Sequence, residues 1–300
     1  MRFRIIFLII ALVDLVSLAG HFFSWFNTVG FLIIAGAALV LSLKRLEYGL
    51  CFVMAELILG GKGYLFSLEL GNTLISIRMA LFVVVVAVWI SRLKLKDLRL
   101  KYCELGILKW GGWLGLAVVW GLVVGFLRGN NFGDLFLDAN GYFYILMALP
   151  CWWTFCKIRG QSLSIEKDCP LWIVFFTATT WVALETLFLV YFWTHGLNNY
   201  IAANLRPVYE WIRDTGVGEI TWLEGNFARV FLQSQIYNVV AFFVVLVALV
   251  TPPTSPYPKG RKLVLYVLLI LNTVVILTSL SRSYWVGTLA GLAVLAVVLV

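Results

Sequence analysis

The chain has 300 residues, of which 62% are hydrophobic and only 13% are charged, and its mean hydropathy is +0.96. Soluble domains carry about 25% charged residues, so this composition excludes a globular protein with a polar surface and predicts an integral membrane protein. The net charge of +8 does not indicate nucleic-acid binding, because the basic residues fall in short clusters between apolar runs.

Ten apolar runs follow one another along the chain, and most are long enough to cross a bilayer as a helix. They cover residues 5–20, 29–43, 49–60, 73–91, 110–127, 135–156, 170–193, 236–251, 262–280 and 284–300. The third run is short, and the GGKGYLF that follows it could extend it as a broken or re-entrant segment. We therefore predict an all-α, polytopic transmembrane bundle of about ten spans, folded as a single transmembrane domain over residues 1–300.

The distribution of Lys and Arg predicts the orientation of these spans. With the N-terminus in the cytoplasm, sixteen basic residues fall in cytoplasmic connections and six in outer ones, while Arg78 falls within a span. This bias follows the positive-inside rule and predicts a multi-pass protein of the cytoplasmic (inner) membrane. The five cysteines all fall at the cytoplasmic side, where disulfides are rare.

The connection 194–235 is the only sizeable external segment that the hydropathy predicts. Four apolar residues recur in it at helical spacing, namely Ile201, Leu205, Val208 and Ile212. This spacing predicts a short amphipathic helix at the membrane interface. We expect Trp211 and Trp222 to act as its interfacial anchors.

Charged residues inside the predicted spans each require a partner, because an unpaired charge in hydrocarbon costs several kcal/mol, on the order of 3. The candidates are Asp14, Glu56, Arg78, Asp138 and Glu185. A pair of Arg78 with Asp138 or with Glu185 would neutralise both charges. Such a pair could be a structural bridge between helices or could face a substrate.

Two further arginines fall at the predicted outer border of the membrane. Arg229 lies in EGNFARVFLQSQIYNVV, and Arg282 lies in LTSLSRSYWVG between Ser281 and Ser283. Such an arginine can be a simple anchor, but two of them among hydroxyls and amides suit a phosphate or diphosphate. The amide residues that could support this site are Gln233, Gln235 and Asn238.

Several common catalytic motifs do not occur in the sequence. There is no Walker loop, no dinucleotide-binding glycine motif, no His–Glu metal helix and no hydrolase triad. The two histidines, His21 and His195, both fall at predicted outer span edges. The sequence therefore predicts neither a metal nor a cofactor.

Three segments resemble the bacterial O-antigen ligase and polymerase superfamily. SLSRSYWVGTLAG is similar to the Ser-Arg signature of that family, and ARVFLQSQIYN is similar to its arginine-bearing segment after an external loop. The pattern of EL, GGKGYL and SIRM resembles the early region of these proteins. The likeness in hydropathy covers most of the chain.

This resemblance implies a metal-independent membrane glycosyltransferase that acts in the assembly of cell-surface polysaccharide such as lipopolysaccharide. Such an enzyme transfers a glycan from a polyprenyl diphosphate carrier to a hydroxyl of lipid A core, protein or a growing polymer. Arg229 and Arg282 would then hold the diphosphate leaving group, with Ser281 and Ser283 beside them. Preorganised cations would stabilise the charge on the departing oxygen.

The resemblance does not identify the general base. Family members continue past the Ser-Arg helix into an external loop with a histidine that is thought to activate the acceptor. The last run of this chain stops at Val300 without a flanking charge, so we expect the sequence to be part of a longer protein with that base beyond Val300. His195 precedes the Ser-Arg segment and does not match that position.

Two other classes of protein remain open from the sequence. A flippase or transporter of a lipid-linked or amphipathic solute would carry charges along a path through the membrane midplane. A structural membrane subunit would use all its charges in pairs between helices. The leading hypothesis predicts as partners a polyprenyl diphosphate-linked glycan, a glycan-accepting lipid, protein or polymer, and membrane lipid, but no nucleic acid.

Overall fold

The computed structural model describes residues 2–70, 73–93, 106–131, 134–135, 141–142, 144–159, 170–195, 199–223, 227–251 and 261–299. The fold is predominantly α-helical, as predicted. The α-helices in these ranges are α1 Arg2–Phe22, α2 Ser24–Lys44, α3 Leu46–Leu59, α4 Ile77–Arg92, α5 Gly106–Leu127, α6 Ala148–Arg159, α7 Pro170–His195, α8 Asn199–Asp214, α9 Gln235–Val250, α10 Arg261–Thr278 and α11 Arg282–Leu299. A 3-10 helix, Tyr144–Met147, precedes α6.

Three helices are long and apolar enough to cross a membrane among the residues described, namely Phe3–Phe22, Ser24–Lys44 and Pro170–His195. Further apolar helices are shorter than this limit and cover Trp113–Leu127, Gln235–Val250, Lys262–Thr278 and Arg282–Val298. The prediction of membrane-compatible helices is thus confirmed. The count of about ten spans and the choice of membrane stay predictions.

Two short antiparallel hairpins interrupt the helices. Strand β1, Ser67–Leu70, pairs with β2, Thr73–Ser76, and β3, Gly218–Trp222, pairs with β4, Ala228–Leu232. The predicted span 73–91 was therefore wrong at its start, since the helix begins only at Ile77. Its first residues, TLIS, have β-branched side chains at two of four positions and pair with SLEL instead of starting the helix.

The glycine-rich segment after α3 ends that helix and turns the chain. Gly61 and Gly63 have φ angles of 51° and 96°, which side chains with a Cβ rarely adopt. The turn packs closely on a second turn after α8, where Lys62 N donates to Gly216 O at 3.2 Å. A Cβ on Gly61 would lie 2.4 Å from that oxygen, so the close approach of the two turns requires glycine.

The chain divides into two compact units. Unit 1 comprises residues 1–36, 51–80 and 169–300, and unit 2 comprises residues 37–50 and 81–168. In unit 1, helix α7 packs against α1, α9 and α10. Its contact face contains Ala178, Val182, Ala183 and Thr186, whose small side chains let neighbouring helices approach closely.

Unit 2 contains the ends of α2 and α4 with α5 and α6. Arg92, at the end of α4, donates through Nη2 to the carbonyl of Ser42 near the end of α2, at 2.8 Å. Helix α5 carries a 380 Å³ apolar groove on its surface, lined by residues that include Leu114, Val118 and Tyr142. None of the described residues that line the groove is charged.

The connections predicted to lie on the outer side contact one another within unit 1. Ser17, near the end of α1, donates to Leu65 O at 2.6 Å and accepts a hydrogen bond from Trp211 Nε1 at 3.1 Å. Asn27, at the start of α2, donates to Ser67 Oγ at 3.1 Å. Hairpin β1–β2 and helix α8 thus lie at the same end of the unit as the connection between α1 and α2.

Helix α8 matches the predicted amphipathic helix in the long connection. Ile212 is fully buried, whereas Arg206 is exposed and forms an ion pair with Glu210 at 2.8 Å. The predicted role of Trp211 as an interfacial anchor was wrong, because its side chain is only 3% exposed and bonded to Ser17. Trp222 is 49% exposed, which is compatible with such a role.

Candidate functional site

Hairpin β3–β4 gives Arg229 its position. Side chains alternate between the two faces of a strand, and Ala228, Val230 and Leu232 are buried while Arg229 and Phe231 are half-buried on the other face. The register is fixed by the buried face, because a slip by one residue would expose all three apolar side chains. Arg229 therefore projects from the face opposite the apolar one.

The turn between α10 and α11 holds three serines in a fixed arrangement. Ser279 Oγ donates to Ile276 O at 2.8 Å, and Ser281 N donates to Ser279 Oγ at 3.3 Å. Leu280 adopts a φ of 49°, a left-handed conformation that costs a residue with a Cβ about 1–2 kcal/mol. The hydrogen bonds around it hold the turn in this conformation.

Arg229 binds directly to this turn. Its Nε donates to Ser279 O at 3.1 Å, so the guanidinium satisfies a carbonyl at the C-terminal end of α10. Its guanidinium carbon lies 5.4 Å from the centroid of the Phe231 ring. In the part of the chain that the structure describes, neither Nη group forms a hydrogen bond, and both are available to a ligand.

Aromatic contacts fix the hairpin on the last helix. The rings of Phe231 and Tyr284 stack with centroids 5.7 Å apart and planes at 24°. Tyr284 is buried, and Trp285 Nε1 donates to Ile276 O at 3.0 Å across the turn. These contacts hold β4 and the first turn of α11 together, and the sequence did not predict the roles of Phe231 and Tyr284.

The start of α11 contributes the second arginine and two hydroxyls. Ser281 O accepts the helical hydrogen bond from Trp285 N, so Ser281 is the N-cap and exposed Arg282 is the first residue of the helix. Ser281 Oγ and Ser283 Oγ lie 2.9 Å apart. Ser281, Arg282 and Ser283 therefore lie at one turn, and Arg229 on β4 is hydrogen-bonded to that turn through Ser279 O.

The electrostatics of this turn favour an anion. The first N–H groups of a helix have no partner within the helix, and they attract oxyanions together with the helix dipole. Two guanidinium groups at such an N-terminus can each donate two parallel hydrogen bonds to phosphate oxygens. None of the ion pairs found among the described residues involves Arg229 or Arg282.

The three predicted supporting amides have different positions. Gln233 is exposed, and its backbone N donates to Val217 O at 3.0 Å, which closes the hairpin. Gln235 is buried, and its Nε2 donates to Thr186 Oγ1 at 3.3 Å. Asn238 is also buried, and its Nδ2 donates to Asn272 Oδ1 at 2.9 Å. Gln235 and Asn238 thus join helices in the core and do not line the turn.

Among the described residues, Arg78 is paired with Glu56. It lies in the first turn of α4, and its Nε donates to Glu56 Oε2 at 2.9 Å. Its Nη2 donates to Gly61 O at 2.7 Å. The predicted pair with Glu185 was therefore wrong, because the hairpin β1–β2 returns α4 to α3, where Glu56 lies. Asp138, the other predicted partner, lies outside the described residues.

Glu185 instead belongs to a group in the contact between α1 and α7. Asp14 is buried in α1 and accepts a hydrogen bond from Trp181 Nε1 at 3.1 Å. Glu185, one turn further along α7, lies within electrostatic range of Asp14. Because this contact joins positions 167 or more residues apart, no local pattern in the sequence indicated it.

A metal centre is not formed by the described residues, which contain no group of three or more His, Cys, Asp or Glu side chains that could hold an ion. Comparisons of the chain with protein-family models, with curated proteins and with solved structures give no match.

Proposed function

We propose that this chain transfers a glycan from a polyprenyl diphosphate carrier to an acceptor hydroxyl at the outer face of the cytoplasmic membrane. One observation supports the proposal most directly. Arg229 is bonded through Nε to the turn that precedes Arg282, and neither of its Nη groups is hydrogen-bonded to another described residue. This bond joins Arg229 to the turn that carries Arg282, although more than fifty residues separate the two in the sequence.

The chemistry of this site suits a diphosphate leaving group. As the sugar–oxygen bond breaks, negative charge develops on the departing diphosphate oxygen. Arg229, Arg282 and the N–H groups of α11 would stabilise that charge as fixed donors, without a metal ion. The hydroxyls of Ser281 and Ser283 could donate to further phosphate oxygens. The glycan acceptor would be a lipid, a protein or a growing polymer.

The proposed topology has about ten spans with a cytoplasmic N-terminus. It is supported by the contacts that the four predicted outer connections of unit 1 make with one another. Successive spans that alternate in direction would place these four connections on the same side of the membrane. Lys62, in the glycine-rich turn, and Lys44, at the end of α2, then lie on opposite sides of the membrane.

We expect a cysteine at position 62 to react with a membrane-impermeant maleimide in intact cells, because Lys62 is exposed on the proposed outer side. A cysteine at position 44 should react only after permeabilisation. Both substitutions would be made after the five native cysteines are replaced by serine. Labelling of both positions, or of position 44 alone, in intact cells would contradict the topology.

Polyprenyl diphosphate binding tests the proposed site. In nanodiscs, the wild-type chain should bind polyprenyl diphosphate, and Arg229→Ala should weaken this binding by about 10- to 100-fold, because a charge-assisted hydrogen bond contributes about 1.5–3 kcal/mol. The measurement is an equilibrium titration that follows intrinsic tryptophan fluorescence, with polyprenyl monophosphate as a competing ligand of lower charge.

Arg128→Ala provides the matched control. Arg128 is an exposed arginine that follows α5 and that the sequence also assigns to the outer side. It belongs to unit 2, whereas the turn belongs to unit 1. Equal loss of affinity in Arg128→Ala and Arg229→Ala would show a general effect of positive charge near the membrane, and it would remove the support for this site.

A transporter of a lipid-linked or amphipathic solute is the second candidate. Polar side chains in the core of unit 1 favour it, since Asn238 bonds to Asn272 and Gln235 bonds to Thr186 between helices. In proteoliposomes, a transporter would move a fluorescent lipid-linked solute between leaflets without changing it. Covalent transfer of the glycan, without movement of the carrier between leaflets, would favour the enzyme.

A further inference from the structure

One acidic side chain lies on the same face of the hairpin as Arg229. In the antiparallel register, Glu219 is opposite Phe231 and Thr221 is opposite Arg229. Glu219 and Thr221 are exposed, whereas their neighbours Gly218 and Ile220 are buried. Glu219 therefore projects on the side of the sheet that carries Arg229, and it is the diagonal neighbour of that arginine across the strands.

Within the part of the chain that the structure describes, the carboxylate of Glu219 is not committed to another group. It forms none of the ion pairs found among the described residues. Arg213, at the end of α8, interacts with it only at longer range, and Arg213 Nη1 is hydrogen-bonded to Tyr209 Oη at 2.8 Å. An exposed carboxylate without an ion pair can accept a proton from a substrate.

Glu219 and Arg229 lie close enough on the hairpin to reach one substrate. Diagonal neighbours on antiparallel strands have Cα atoms about 7–8 Å apart. Two long side chains on such positions can reach one ligand, so a sugar whose diphosphate binds Arg229 would lie within reach of Glu219.

The other candidate bases among the described residues are less suitable. Glu56 is buried and paired with Arg78, and Asp14 is buried beneath Trp181. His195 Nδ1 lies 3.0 Å from Tyr191 O, and its ring stacks on Tyr191 in the last turn of α7. Among the described acidic residues, Glu219 alone shares a strand face with Arg229 and is also exposed.

We infer that Glu219 is the general base of the glycan transfer, acting on the acceptor hydroxyl, a role that the family resemblance had placed beyond Val300. This inference rests on the proposed function. The acceptor oxygen forms a bond to the anomeric carbon, and the bond from that carbon to the diphosphate oxygen breaks. The electron pair of the broken bond stays on the diphosphate, which Arg229 and Arg282 hold. The hydroxyl proton passes to Glu219 and then to water, so the base is restored.

The test compares Glu219→Gln with Glu69→Gln in membranes of the native host that contain a radiolabelled polyprenyl diphosphate glycan and its acceptors. Glutamine keeps the size of the side chain but cannot accept the proton. We expect Glu219→Gln to lower the rate of transfer by about 100-fold or more, because general base catalysis contributes about 10²–10⁴-fold. Its affinity for polyprenyl diphosphate should stay within about twofold of wild type.

Glu69 is the matched control, because it is an exposed glutamate on the other hairpin. Glu69→Gln should transfer glycan at the wild-type rate. As a second readout, added formate should restore part of the transfer in Glu219→Ala and none in Arg282→Ala. Wild-type transfer by Glu219→Gln, or loss of polyprenyl diphosphate binding in that variant, would overturn the assignment of the base. Absence of transfer in the wild type itself would instead overturn the proposed function.

Discussion

Replacing Arg282 with alanine is expected to lower the rate of glycan transfer by about 100- to 1000-fold. Removal of one preorganised donor to a developing oxyanion has an effect of this size in other enzymes. Arg282 is exposed and forms no ion pair among the described residues, so its loss should leave the fold intact. The measurement is single-turnover transfer of a labelled glycan in membranes with equal amounts of each variant.

The conservative variant Arg282→Lys separates charge from geometry. Lysine keeps the positive charge but cannot form the two parallel hydrogen bonds of a guanidinium. We expect it to retain part of the activity, between alanine and wild type. The exposed Arg128, changed to alanine, again serves as the control. A rate in Arg282→Ala equal to that of wild type, with normal expression, would refute the proposed role of the turn.

The largest effect on stability is expected from Arg78→Met. This change would leave Glu56 buried without its partner, since the Glu56 side chain is only 5% exposed and its Oε2 accepts from Arg78 Nε. Removing one partner of a buried ion pair lowers the free energy of unfolding by about 3–5 kcal/mol. It also removes the hydrogen bond to Gly61 O that fixes the glycine-rich turn. Unfolding in mixed micelles, followed by fluorescence, measures this difference.

The double variant Glu56→Leu/Arg78→Met tests the cause. If the loss in Arg78→Met comes from the unpaired carboxylate, replacing both residues by apolar ones should restore most of the stability. Arg45→Met is the comparison, because Arg45 pairs with Glu47 at 2.8 Å but its side chain is 60% exposed. Exposed pairs contribute about 0–1 kcal/mol, so this variant should be close to wild type. A double variant as unstable as Arg78→Met would contradict the explanation.

The helices were largely predictable from hydropathy alone. In an apolar environment, the backbone N–H and C=O groups of a run such as IIFLIIALVDLV can form hydrogen bonds only with one another. Such a run therefore forms a helix whichever helices it packs against. Helix α8 was predictable for a related reason, since its apolar residues recur at helical spacing. The start of α4 was not, because TLIS is apolar enough for a helix and only its partner strand SLEL makes it a strand.

The grouping of Arg229 with Ser281, Arg282 and Ser283 was predicted from their common level at the membrane border and from a family resemblance. The structure adds the hydrogen bond from Arg229 Nε to Ser279 O. It also separates Gln235 and Asn238 from this group, because both are buried between helices. Sequence position could not distinguish an amide that faces a ligand from one that joins two helices.

The sequence by itself determined the apolar helices, their alternation with basic connections, and the identity of the charged residues that need partners. Only the tertiary structure decided those partners, as when Arg78 meets Glu56 and Glu185 lies near Asp14. The physical reason is that hydropathy and helical periodicity act over neighbouring residues of one segment. A hydrogen bond between side chains depends on which segments pack together, and that choice is made by the shapes of whole helices and turns.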